Sequence, residues 1–542
     1  MRNRLMMRRH LLGLFAGLSL SYASLAHANG RFPNAQQLRE PQKGFIVVAG
    51  SYGLLLSSNA GKDFQFVCES MLFGQPSMGS WIDPLLETLP DGSVLSGSQS
   101  GMRFSLDHGC SFQTAFSLPH DTKVVGAGPD PNTPIGSVVD LCPGYSPDAA
   151  VVALATARAS DGSVVEHRLY QSADGHGAWK PLGNALGTSS LRSVLTLEVA
   201  PSKPTRIYVS GSNNGVHTLA VSDDAGATFQ TYPIALDDAD GVTGAYIAAV
   251  SPSNPNRVYV RVSRRSIADD GSDTWDDSLL VSDDGGAHFR DVLRRQAALL
   301  GFALSPDGKT VLAGYGDPAI APLVTSDAAL GLYSASSDAL TFMHSVPDVS
   351  ISCLRWGPSG LFACAKERDP LATGASAAGD FHVGLYGGSG APSGANPFTP
   401  LLKLRDVRGP LPWLDGSSSA CENEWKNADP STPTQPSTCA SINACGSSTE
   451  LSPGAIHCGA SSGGAATSGG VNGAGQAGTS SGGAGGSAGS AQGGSSGTSN
   501  HSAGCSCRMR DARLHTPHDA LAAAGALVLA MTRRRRKSSR QP

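Results

Sequence analysis

Charge is what this chain of 542 residues has least of. Asp, Glu, Lys and Arg together make up 15%, and the formal net charge is -4. A near-neutral, sparsely charged chain has no electrostatic footprint for nucleic acid, so no nucleic-acid partner is expected. Glutamate is especially scarce: between residues 29 and 411, Glu69, Glu87, Glu166, Glu198 and Glu367 are nearly all of it. That leaves little material for a catalytic carboxylate pair. There is no Cys-x-x-Cys and no His-x-x-x-His, so no zinc site is expected. The apolar run Ala520 to Met531 falls well short of the roughly 20 residues that span a bilayer. What the chain does have is 66 Gly and 34 Pro. With so few charges, that suits an all-β protein with many turns.

One phrase returns along the chain: Ser-x-Asp-x-Gly-x-x-Phe. It reads in full as Ser105-Leu-Asp107-His-Gly109-Cys-Ser-Phe112, Ser222-Asp-Asp224-Ala-Gly226-Ala-Thr-Phe229 and Ser282-Asp-Asp284-Gly-Gly286-Ala-His-Phe289. A near-copy, Ser57-Ser-Asn59-Ala-Gly61-Lys-Asp-Phe64, has Asn for Asp. Two eroded copies follow, Ser172-Ala-Asp174-Gly-His-Gly-Ala-Trp179 and the stretch Ser336 to Phe342. The residue types suit a hairpin. Gly takes the positive φ of a tight turn. Ser and Asp side chains accept hydrogen bonds from turn amides. The aromatic enters the next strand and packs under the turn. The phrase resembles the Asp-box, or BNR, repeat of sialidase-like β-propellers. In that family the box lies on the blade periphery, away from the ligand face, so the resemblance implies a structural role for these residues.

The copies begin at residues 57, 105, 172, 222, 282 and 336, giving spacings of 48, 67, 50, 60 and 54. A four-stranded blade needs about that length. A second motif precedes the boxes: Ala200-Pro-Ser-Lys-Pro-Thr-Arg-Ile-Tyr-Val and Ser251-Pro-Ser-Asn-Pro-Asn-Arg-Val-Tyr-Val, with a looser copy at Ser305. The stretch Phe381 to Leu404 reads as a last blade without a box. A folded region from about Gly44 to Leu411 then predicts seven blades, with six as the alternative.

The ends predict export. Arg2, Arg4, Arg8 and Arg9, the apolar run Leu11 to Leu20, and Ala26-His27-Ala28 make a secretory signal peptide over 1–28, cleaved between Ala28 and Asn29. The propeller is expected over 29–411 and a Cys-rich module over 412–458. Residues 459–504, mostly Gly, Ser and Ala, are expected to form a flexible linker. Residues 505–542 hold Gly504-Cys505-Ser-Cys507 at their start, then the short apolar run and Arg533 to Arg536. This order resembles the myxobacterial C-terminal sorting signal. The resemblance implies a short C-terminal helix, a sorting protease as partner, lipidation near Cys505, and outer-membrane attachment on a Gram-negative surface.

Eleven cysteines in an exported chain suggest disulfides. The segments flanking Gly357-Pro358-Ser359-Gly360 read as a hairpin that sets Cys353 opposite Cys364, close enough to bridge. Cys421, Cys439, Cys445 and Cys458 are expected to form two bridges in a module of their own. For Cys68, Cys110 and Cys142 the preferred pairing is Cys68 with Cys110.

A catalytic set is not evident. The Phe-Arg-Ile-Pro motif usual in sialidases has only Gly30-Arg31-Phe32-Pro33 in its place. Arg261, Arg264 and Arg265 cluster on what reads as one strand and its turn, where alternation would not converge them on one ligand, and read as an exposed basic stretch. The acidic runs Asp269 to Asp277 and Asp237 to Asp240 lack the closing Glu of an EF-hand and read as solvated loops. The expectation is a monomeric, cell-surface binding or scaffolding propeller for a glycan or protein ligand, with no cofactor and no metal. The alternative is a sialidase-like or other glycan-active hydrolase.

Overall fold

The computed structural model describes residues 35–73, 84–97, 101–117, 136–146, 149–158, 164–187, 191–236, 241–267, 273–317, 329–367, 381–395, 397–411, 421, 422, 425 and 451–458. Seven antiparallel sheets follow one another along the chain. Blade 1 is β1 (Ala35–Gln42), β2 (Phe45–Gly50), β3 (Gly53–Ser57) and β4 (Gln65–Val67), followed by a short helix α1 (Glu69–Phe73). Blade 2 is β5 (Leu85–Thr88), β6 (Val94–Gly97), β7 (Gly101–Ser105) and β8 (Gln113–Ser117). Blade 3 is β9 (Gly136–Ser146), β10 (Ala149–Arg158), β11 (Val164–Ser172) and β12 (Lys180–Leu186). Blade 4 is β13 (Ser193–Val199), β14 (Ile207–Asn213), β15 (Val216–Ser222) and β16 (Gln230–Pro233). Blade 5 is β17 (Val242–Val250), β18 (Val258–Ile267), β20 (Asp277–Ser282) and β21 (Arg290–Arg295), with a side strand β19 (Asp273–Trp275) on β18. Blade 6 is β22 (Ala298–Leu304), β23 (Thr310–Gly316), β24 (Gly331–Ser336) and β25 (Met343–Pro347). Blade 7 is β26 (Ile351–Gly357), β27 (Gly360–Ala365), β28 (Val383–Tyr386) and β29 (Thr399–Leu402). The first strands of successive blades touch in order, and β26 touches β1, so the ring closes. The protein is a seven-bladed β-propeller. It begins earlier than Gly44, because Ala35–Gln42 supplies the innermost strand of blade 1.

The recurring serine is the last residue of the third strand in blades 1 to 6, at Ser57, Ser105, Ser172, Ser222, Ser282 and Ser336. Within the turn, Ser222 Oγ donates to Asp224 Oδ1 at 2.8 Å and accepts from the Gly226 amide at 2.8 Å. Asp224 then accepts from the Thr228 amide and hydroxyl at 2.8 and 2.6 Å. Asp107 and Asp284 repeat the pattern on Ser111 and His288. Asn59 keeps half of it, accepting from the Asp63 amide. Asp174 accepts instead from the His176 and Gly177 amides. The glycine carries positive φ, 90° at Gly109 and 84° at Gly226, and so does the residue before it, 56° at both His108 and Ala225. The left-handed step is thus two residues long, which the sequence reading assigned to glycine alone.

These turns also hold neighbouring blades together. A Cβ on Gly109 would lie 2.2 Å from Leu56 Cδ1 of blade 1, and one on Gly286 would lie 2.5 Å from Leu219 Cδ2 of blade 4. Phe112 packs in the core cluster of blade 1, Trp179 against blade 2, Phe229 against blade 3 and Phe289 against blade 4. Each aromatic therefore buries itself on the preceding blade, where the apolar sheet faces meet. The Pro-rich motif closes the same corner. Arg206 grips Asp223 with two bonds of 2.6 and 2.7 Å, and Arg257 bonds Asp283. Arg206, first among its partners, holds the Asp223 carboxyl well below the usual range.

Antiparallel order puts the first-to-second and third-to-fourth turns on one face of the ring. The other face carries the second-to-third connections and those between blades. The repeat turns lie on the first face.

The cysteines pair differently from the sequence reading in two of three places. Cys353 faces Cys364 across β26 and β27, and the two are bridged. Cys68 bonds Cys421, not Cys110, and Cys110 bonds Cys458. The segment beyond the propeller therefore spends both of these cysteines on blades 1 and 2, not on bridges of its own. Cys142 is also disulfide-bonded. Three described disulfides point to an exported protein. No helix among the described residues is long and apolar enough to cross a membrane.

Candidate functional site

Side chains from five different blades meet at the ring axis. Arg39 of β1 clamps Glu87 of β5 with Nε and Nη2 at 3.0 and 3.2 Å, and its other donors reach the Leu38 and Leu86 carbonyls. Both partners are almost wholly buried. Arg355 of β26 lies beside this pair, with Tyr145 of β9 and Glu198 of β13 close enough to act on its charge. Residues of blades 7, 1, 2, 3 and 4 can share one neighbourhood only on the axis. Arg355 keeps some accessible surface, yet it sits deep in the channel. Burial first, and then the like charge of Arg39, push its guanidinium down to about 10, while Glu87, Tyr145 and Glu198 pull the other way. Arg39, Tyr145 and Arg355 are three contributors that sequence reasoning missed. A signal was available only at Arg355, an arginine set in the largely apolar inner strand Ile351–Gly357.

The other carboxylates of the inner wall are occupied by neighbouring strands. Asp140 of β9 accepts from the Leu141 amide and from the Leu197 amide of blade 4, at 3.0 and 2.8 Å. Glu40 accepts from the Gly44 amide and from the amide and hydroxyl of Ser359 in blade 7, at 2.8, 2.7 and 2.6 Å. Glu367 accepts from the Leu404 amide at 2.8 Å.

The basic cluster expected to be exposed is not. Arg261 is 2% exposed and Arg264 6%, because β18 is covered on both faces by its neighbours. Arg261 bonds Asp277 at 2.8 Å and lies over the Tyr246 ring. Arg264 donates to Ser278 Oγ at 2.7 Å, and Arg265 lies over Trp275. Asp277, read as part of a solvated acidic loop, is fully buried. Besides Arg261 it accepts from the amides of Arg264 and, in blade 6, Leu299. Burial pushes its carboxyl up, and Arg261 partly offsets this. Asp276 beside it pairs with Arg294. Asp237, Asp238, Asp240, Asp269 and Asp270 lie outside the described residues. Among the described residues no cluster of three His, Cys, Asp or Glu is placed to hold a metal ion.

The sequence-predicted residues do not converge on this axis. The repeat residues stand on the rim, six turns apart from one another. Ala28, Asn29, Arg31, Cys505 and Cys507 lie outside the described residues. A separate open depression of about 580 Å³ on the rim is lined by Asp291, Arg294, Arg295, Leu340 and Phe342. Arg295 there stacks over Tyr333, 4.7 Å from the ring centre.

No protein-family model matches the chain, and no curated protein matches it in sequence. Solved structures resemble it in fold. A crystal structure of an ancestral GH74 enzyme is 16% identical, covers 62% of this chain and 44% of its own, and superposes with a TM-score of 0.41. The extracellular domain of a protein named as a one-component system from B. thetaiotaomicron is 11% identical, with 62% and 37% covered and a TM-score of 0.39. NanB sialidase from Streptococcus pneumoniae is 11% identical, with 53% and 65% covered and a TM-score of 0.32. The chain thus spans less than half the length of the first two. Likeness at this level is one of architecture and says nothing of ligand or reaction.

Proposed function

We propose that the chain is an exported propeller that binds or scaffolds, displayed at the cell surface. The observation that carries this reading is the state of the inner-wall carboxylates. Glu40, Glu87 and Asp140 each spend their oxygens on donors from neighbouring strands. A general acid or nucleophile needs a carboxylate free to face substrate. The recognition surface is then the face that carries the second-to-third connections and those between blades, since loops on a rigid frame carry binding. The repeat turns belong to the frame on the opposite face. A glycan or a protein is the ligand class, and the propeller acts as a monomer. Display follows from 1–28 as a signal peptide and 505–542 as a sorting segment cut near Cys505, with the processed end at the outer membrane.

A second reading is a glycan-active hydrolase. It is favoured by the convergence of Arg39, Arg355, Glu87, Glu198 and Tyr145 on the axis. One experiment separates the two. The purified mature protein is applied to a glycan array, and each bound glycan is then incubated with it and followed by mass spectrometry. Binding without cleavage supports the first reading. Cleavage that is lost in Glu198→Gln, with the fold retained, overturns it.

A further inference from the structure

The ring has one join that the chain does not cross in passing from blade to blade: the join between blade 7 and blade 1. Every blade takes its four ladder strands from one uninterrupted stretch, so no strand of the last blade is lent to the first. Noncovalent contacts cross it as well: β26 and β27 pack on β1, and Phe362, Val383 and Leu402 of blade 7 share the apolar core of blade 1. Glu40 of blade 1 holds Ser359 of blade 7, and Tyr52 Oη meets His382 Nε2 at 2.8 Å in a buried pair.

The segment after β29 does cross. It runs beside β4, the outermost strand of blade 1. The Arg408 amide donates to the Phe64 carbonyl at 2.9 Å, the Phe66 amide to Gly409 at 2.7 Å, and the Leu411 amide to Phe66 at 3.0 Å. Phe66 and Pro410 form a parallel bridge. Arg408 pairs with the buried carboxyl of Asp63. Trp425 then lies on the Phe66 ring, 5.3 Å between centres, and Cys421 is bonded to Cys68. Residues 451–458 return over the same edge. Gln65 exchanges two side-chain bonds with the Ile456 backbone, and Ser452 donates to Asp63. The segment ends at Cys458, bonded to Cys110 of blade 2. Leu404, Val407, Leu411, Trp425 and Ile456 are buried in the core of blade 1.

We infer that this C-terminal segment is the clasp of the ring. It joins blade 7 to blades 1 and 2 covalently, in place of a shared strand. The two bridges span 353 and 348 residues, so the first closes a loop that holds blades 2 to 7 and the second a loop that holds blades 3 to 7. Cys353–Cys364 spans 11 residues inside blade 7 and does not cross the join, which makes it an internal control.

The test is amide hydrogen exchange read by mass spectrometry. Cys68, Cys110, Cys421 and Cys458 are all changed to Ala in one variant, and Cys353 and Cys364 in another. In the first, β1–β4 and β26–β29 lose protection by about 30-fold or more, while β13–β16 keep theirs. The second shows no selective loss at the join. Equal loss in all seven blades, or none, overturns the inference. If the first variant does not fold, the native protein is reduced in graded steps and alkylated. Exchange is then read in molecules that have lost only the two long bridges, and even loss across the ring again overturns it.

Discussion

Carboxylates do two different jobs in this propeller, in the rim turns and buried between blades. On the rim, Asp224 and Asp284 stand about half exposed, and every partner lies within four residues. Between blades 5 and 6, Asp277 at the start of β20 is fully buried, and its partners are Arg261, Arg264 and Leu299, the last in the next blade. The rim aspartate shapes a turn that would remain a turn without it. The buried aspartate holds a charge and two backbone amides at once. Equal chemistry, placed at different depth, should therefore differ severalfold in what its loss costs.

The largest effect is expected at Asp277. Asp277→Ala leaves the buried Arg261 charge without its carboxylate partner, which costs about 3–5 kcal/mol. Urea unfolding checks it. Asp277→Asn is expected to lie between, because its one side-chain oxygen can still accept from one of the two amides, while the charge and the second acceptor are lost. The double variant Arg261→Met/Asp277→Ala should recover part of the loss, since the Arg261 charge is gone too, but not all, since the Leu299 and Arg264 amides still lack the carboxylate. A cost for Asp277→Ala no larger than for Asp284→Ala would break the comparison.

What could be read from the sequence follows the same division. The rim turn was legible because its whole logic fits in eight residues, Ser282 to Phe289, and recurs. The hairpin bridge Cys353–Cys364 was legible because its turn, Pro358-Ser359, lies between the two cysteines. The wall was not. Arg39 and Glu87 are 48 residues apart, Glu40 and Ser359 are 319 apart, and Cys68 and Cys421 are 353 apart. No local period encodes such distances. The misreading of Arg261 shows why: alternation along one strand says which face a side chain takes, but not that a neighbouring blade buries both faces. The sign that was present is Val258-Tyr-Val-Arg261-Val, an arginine set within a fully apolar run.

A middle-sized effect sharpens the claim that the rim turn also joins blades. Gly109 and Gly215 have similar positive φ, 90° and 83°. A Cβ on Gly109 meets Leu56 of blade 1 at 2.2 Å, whereas one on Gly215 meets nothing within 4 Å. Gly215→Ala therefore isolates backbone strain, about 1 kcal/mol. Gly109→Ala adds the cost of moving Leu56 and is expected to reach about 2 kcal/mol. Thermal melts of the two variants, read side by side, measure the joint itself. Equal losses would reduce the repeat glycine to a turn former.

The smallest effect is a pH dependence of the rim. The side chain of His288 first, then its amide, hold the Asp284 carboxyl down at about 2. An unfolded aspartate titrates near 3.9. A folded value below the unfolded one means that the stabilisation is present above about pH 4 and lost as pH falls toward 2. Because Asp284 is 45% exposed, solvent screens most of this and the shift is expected to be slight. Asp284→Asn removes the titrating group and keeps acceptor and donor atoms. The melting difference between it and the native protein should be small at pH 7, shrink between pH 4 and pH 2, and vanish below. A difference that persists unchanged at pH 2 would show that the rim aspartate acts through shape alone, with no contribution from its charge.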